Sequence, residues 1–154
     1  MTAMPVTART PEAPLVTPFG ALDHDRAATL AFPLGLPGFP AVDRFALAPV
    51  PGHQGPFHVL HGLGDEPVDL IVTPLETVAD RIDPAHVETV REALQIEPRS
   101  LLVLLVVTLP PKGAGQSPTV NLRAPIFVDV DRRVAVQTVL PDGRYPFRQA
   151  LFAA

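Results

Sequence analysis

Proline and glycine set the first constraint on this chain: 20 prolines and 10 glycines interrupt its 154 residues. Proline lacks the amide donor that helices and sheet ladders use, and glycine weakens the interior of both. This density is high for a helical bundle and predicts short strands joined by many turns. Apolar residues still make up 47% of the chain, enough to fill a core. At this length one domain buries roughly 68–70% of the surface its unfolded form exposes, and two ordinary domains do not fit.

The composition also removes whole chemistries. There is no cysteine, hence no disulfide, thiolate metal site or cysteine nucleophile. The only serines are Ser100 and Ser117, and neither sits in a Gly-x-Ser-x-Gly elbow. No phosphate-cradling glycine loop is present. His53, His58 and His61 lie close in sequence, but 58 and 61 are an odd number apart. On a strand they point to opposite faces and cannot share a metal. The residues predict no catalytic set, no metal and no cofactor. The longest apolar run, Leu101 to Val107, stops before Pro110-Pro111, far short of the ~20 residues a bilayer span needs. No basic stretch followed by an apolar core opens the chain, so the expected location is cytoplasmic.

Charge is uneven. Residues 60–100 carry a net −6, residues 101–154 a net +3, and the whole chain −4. An acidic middle opposes direct nucleic-acid binding, which requires phosphate neutralisation. It suits a basic protein partner, or simply a solvated face.

Residues 1–14 are proline-rich and aperiodic, and read as a disordered tail before a single domain at 15–154. Strands are expected at Leu15–Phe19, Ala28–Phe32, Phe45–Val50, Phe57–Leu63, Val68–Thr73, Leu101–Val107, Ile126–Val130 and around Val134–Val139. Pro37-Gly38 fits the central positions of a type II turn. Gly64-Asp65-Glu66-Pro67 reads as a hairpin loop with two carboxylates, and 110–118 as a flexible loop. One helix is expected over about 84–95: Asp83 caps it, Pro84 opens it, and Glu88 can pair with Arg91. Leu101–Val107 reads as a strand buried on both faces or at a barrel seam. The predicted fold class is therefore mainly β, with eight or more short, mostly antiparallel strands and one short helix.

Three segments in order resemble a known family. They are Phe32-Pro33-x-Gly35-Leu36-x-Gly38-Phe39 with Phe45, then Leu70-Ile71-Val72-Thr73-Pro74. The third is Thr119-Val120-Asn121-Leu122-x-Ala124-Pro125-Ile126 running to Gln137-x-Val139-Leu140 and Tyr145-Pro146. The chain resembles the flagellar assembly factor FliW family over about residues 15–152. The resemblance implies a small barrel-like β fold without catalysis. It also implies two protein partners, the translational repressor CsrA and flagellin, bound in mutually exclusive complexes. Flagellin export would then free the protein to inhibit CsrA. The alternatives are a flagellin export chaperone that does not act on CsrA, and a small-ligand-binding barrel whose pocket includes His58 and His61. Asp65, Glu66, Glu76 and Asp80 are candidates for opposing RNA electrostatically at the CsrA surface, and Phe39 for partner contact. Gly35, Pro37, Gly38, Asn121, Ala124 and Pro125 are read mainly as holding the fold, with Asn121 bonding backbone in a turn.

Overall fold

Short strands dominate the computed structural model, which describes residues 15–53 and 55–151. The predicted tail at 1–14 lies outside the described residues. Among the described residues eleven strands are formed: β1 (Leu15–Thr17), β2 (Gly20–Leu22), β3 (Ala28–Ala31), β4 (Arg44–Pro49), β5 (His58–Gly62), β6 (Asp69–Pro74), β7 (Leu101–Thr108), β8 (Thr119–Val120), β9 (Ile126–Asp129), β10 (Val134–Gln137) and β11 (Gln149–Ala150). One α-helix, α1 (Pro84–Leu94), lies between β6 and β7.

The first predicted strand, Leu15–Phe19, is two strands instead. The chain turns at Pro18-Phe19 and returns as β2, pairing Leu15 with Leu22. Thr17 drives the turn: its Oγ1 accepts from the Phe19 amide at 3.0 Å and donates to the Gly20 carbonyl at 2.8 Å. A side chain that satisfies nearby backbone groups offers an alternative to a continuing ladder.

Seven strands close a barrel in the order β3-β4-β5-β6-β7-β9-β10 and back to β3. The pairs are antiparallel except β10 with β3, which meet in parallel at Val134↔Ala31. β7 carries the seam. One edge pairs with β6 while the other divides: Leu101–Leu104 pair with β9, and Val107–Thr108 pair with β8. Its apolar composition follows, because alternate residues meet two different cores.

One core takes residues from all seven barrel strands, among them Leu30, Phe45, Leu60, Val72, Leu104, Ile126, Val128 and Ala135. Phe32, Leu36 and Val42 from the β3–β4 connection complete it. The opposite faces, including Val59, Ile71, Leu105 and Phe127, pack against Val87, Val90 and Leu94 of α1 and against Leu22, Leu140 and Tyr145. Even eight strands enclose little more than their own side chains. The first cluster therefore fills the barrel, and the second lies outside it under α1.

The helix α1 has the cap and ion pair its sequence predicts. Asp83 Oδ1 accepts from the Ala85 amide at 2.9 Å. Arg91 donates to Glu88 through Nε at 2.9 Å and through Nη2. The Arg91 hydrogen bond holds the Glu88 carboxyl below its ordinary range. The helix ends at Gln95, which takes a left-handed conformation before Pro98.

The Pro37-Gly38 turn forms as expected, with the Phe39 amide donating to the Leu36 carbonyl at 2.8 Å and Gly38 at φ 87°. Gly35, at φ 66°, is more tightly constrained. A Cβ there would lie 2.7 Å from Pro40 Cα and 2.8 Å from its carbonyl oxygen. These are backbone atoms, so the chain itself would have to move. A Cβ at Gly38 meets nothing within 4 Å. Gly35→Ala is expected to destabilise the protein by at least about 2 kcal/mol, and Gly38→Ala by about 1 kcal/mol. Urea denaturation of the two variants measures the difference; equal midpoints would refute the crowding argument.

Candidate functional site, an apolar groove at one end of the barrel

Where β6 begins and where β7 and β10 end, the barrel opens into a groove of about 360 Å³. One wall is Leu36, Pro37 and Phe39, from the turn that follows β3. The floor includes Leu70 of β6 and Val106 of β7. The far wall holds Asn121, Ala124, Gln137 and Val139, with Phe147 at the rim. All three segments singled out in the sequence thus contribute to one hollow.

Hydrogen bonds fix the far wall. Asn121 Oδ1 accepts from the amides of Arg123 and Ala124, at 3.0 and 3.1 Å, as its turn role required. Gln137 Nε2 donates to the Ala124 carbonyl at 2.9 Å, and the Thr138 amide donates to the Pro125 carbonyl at 3.0 Å. Asn121, Ala124, Pro125 and Gln137 therefore brace one another. Arg123 sets the rim: Nε donates to the Tyr145 carbonyl at 2.7 Å and Nη2 to the Gly143 carbonyl at 2.8 Å. Its guanidinium lies 4.4 Å from the centre of the Phe147 ring. This cation–π contact holds an aromatic ring that is 56% exposed.

Phe39, a predicted contact residue, is half-buried in the groove wall. The four candidate acids are all exposed but do not form one patch. Asp65 and Glu66 precede β6, at the end that holds the groove. Glu76 and Asp80 follow β6, in the turn at Leu75–Arg81. A six-residue strand separates the pairs by about 20 Å.

The histidines are likewise apart. His58 Nδ1 bonds the Pro56 carbonyl at 3.0 Å, whereas His61 Nδ1 bonds Asp69 Oδ1 at 2.6 Å on the opposite face of β5. Among the described residues no cluster of three or more His, Asp or Glu could hold a metal ion. No described helix is long and apolar enough to cross a membrane. Val106 and Phe147 line the groove but lie outside the three family-like segments. Phe147 had a signal, since it follows directly on Tyr145-Pro146; Val106 inside an apolar run had none.

Fold and groove together define a class: a small closed β-barrel, braced by one flanking helix, with an apolar hollow at one end. Known proteins narrow it further. The chain belongs to the FliW family of flagellar assembly factors, whose family model, described as FliW protein, matches residues 15–151. It is 32% identical to the flagellar assembly factor FliW of Thermotoga maritima over 136 residues, which cover 88% of this chain and 90% of that one. It is 29% identical to the Clostridium botulinum factor over 134 residues, covering 86% and 92%. A crystal structure of the flagellar assembly factor FliW shares the fold. Its TM-score is 0.67 at 21% identity, over 92% of this chain and 98% of that chain.

Proposed function

We propose that this flagellar assembly factor is a non-enzymatic, cytoplasmic regulator that binds CsrA and flagellin in mutually exclusive complexes. Free protein antagonises RNA binding by CsrA; flagellin awaiting export withdraws it. The observation that carries the reading is the convergence of the three family-like segments on one groove. Those segments are separated by up to about 100 residues, yet their apolar side chains line a single hollow with an exposed aromatic rim. Exposed apolar surface of this kind is a common mark of a binding site.

Partner exchange needs only mass action. A competitor at ~100 times its Kd weakens the other complex about a hundredfold, equivalent to about 2.7 kcal/mol. The deciding experiment is capture from a flagellated cell lysate on the immobilised full chain, followed by competition with purified components. Retention of both CsrA and flagellin, each displacing the other, supports the reading. Flagellin alone supports an export chaperone without action on CsrA, and neither refutes both.

The acids divide into a testable pair. Asp65 and Glu66 stand at the groove end, and Glu76 and Asp80 at the far end. Charge reversal of Asp65 and Glu66 is expected to weaken CsrA inhibition several-fold at low salt and less at high salt. Reversal of Glu76 and Asp80 is expected to change it less than twofold. RNA-displacement titrations at two ionic strengths measure this, and equal effects of the two pairs would refute the placement.

A further inference from the structure

The groove has a wall made of backbone as well as side chains. Along β10 and its continuation, the amides of Thr138 and Leu140 donate to Pro125 and Arg123 at 3.0 and 2.8 Å. These bonds share the β9–β10 register that pairs Val136 with Phe127 and Val134 with Asp129. In an antiparallel pair the hydrogen-bonding residues alternate. The backbone groups of Gln137 and Val139 therefore point away from β9, toward the side on which β3 should lie.

β3 is not there. Its ladder with β10 ends at Val134↔Ala31. Past Ala31 the chain stays with β4, since the Phe32 amide continues the β3–β4 register by donating to the Asp43 carbonyl at 2.7 Å, and it then turns away where the Gly35 amide donates to the Phe32 carbonyl. Among the described residues no hydrogen bond reaches the amide or carbonyl of Val139. Val139 is 62% exposed, so this edge meets solvent. Natural sheets blunt open edges with charge, proline or a bulge. Ala135 to Val139 carry none of these, and the apolar groove runs alongside.

We propose that a protein partner binds here by strand addition: an extended, uncharged segment pairs with the open edge at Gln137 and Val139 and places alternate apolar side chains in the groove. The backbone decides the class of occupant. Two outward residues offer two donors and two acceptors, which an extended chain can match. A helix cannot, because its own donors and acceptors are already paired along its length. The inference rests on the functional reading above, and it adds the conformation of the bound segment.

Amide hydrogen exchange of the full chain, free and with purified flagellin or CsrA, tests it residue by residue. In the free protein Thr138 and Leu140 should exchange slowly and Gln137 and Val139 fast. With a bound partner, Gln137 and Val139 should slow at least tenfold. Val139→Pro removes one outward donor and leaves the β9 ladder intact. It should weaken that partner at least tenfold with the melting temperature kept within a few degrees, while Val139→Ala should weaken it less than threefold. Binding with Gln137 and Val139 still fast, or unweakened binding by a folded Val139→Pro, overturns strand addition and leaves the functional reading standing. Absence of binding by both partners overturns the two together. Slow, concentration-dependent exchange of these amides in the protein alone overturns it in favour of a second copy as the occupant.

Discussion

Replacing Phe32 with alanine is expected to destabilise the fold by about 3–5 kcal/mol, a large part of the 5–15 kcal/mol typical of a domain. Phe32 is fully buried, and its ring meets that of Phe45 edge-on at 4.9 Å between centroids. It lies where β3 leaves the barrel, and with Leu36 it packs into the barrel core. Alanine would leave a cavity that the turns around it, fixed by hydrogen bonds, cannot collapse to fill. At this size the melting temperature should drop by about 10 °C or more. Leu34, two residues away and 77% exposed, should tolerate alanine within about 0.5 kcal/mol. Calorimetry of the two variants decides the matter; a Phe32 variant that melted with the parent would show that the barrel core does not depend on this ring.

The second large effect is on binding. Under the proposed function, alanine at Phe39 and Phe147 together is expected to weaken binding of flagellin and CsrA by roughly 30-fold or more, since one aromatic anchor seated in an interface can contribute about 2 kcal/mol. Stability should change far less. Phe147 is mostly exposed, and Phe39 is half-buried, so their removal costs little of the core. Titration calorimetry with each partner, beside a thermal melt, separates the two outcomes. Retained affinity in a folded double variant would detach the groove from partner binding.

Some of this molecule is readable from nearest neighbours in the chain. Asp83-Pro84 starts α1 because one side chain caps amides that have no partner inside the helix. Pro37-Gly38 makes its turn because proline presets one dihedral angle and glycine accepts the other. Asn121 closes its own turn for the same reason, a short polar arm within reach of two amides. The β1–β2 hairpin was hidden by its brevity. Three residues per strand show no period, and Thr17 turns the chain with bonds that leave no hydrophobic signature.

Longer-range features left weaker traces. The apolar run of β7 fitted a strand buried on both faces or at a barrel seam, yet which strands met it was not legible. The acids looked like one group because their positions along the chain are close. β6 sets them at opposite ends of the barrel. The groove itself had no local signature, since each contributing side chain is ordinary alone.

The turns, the helix and its caps, the two-sided alternation along the strands and the absence of cysteine chemistry all follow from the order of residues alone. Those are decided by dihedral preferences and hydrogen bonds spanning a few residues. That β3 and β10 meet in parallel at Val134↔Ala31 and then part is set by the folded chain as a whole. That choice depends on matching backbone donors and acceptors across about 100 residues while burying both faces of the strands at once. From the parting come both the groove and the open edge beside it.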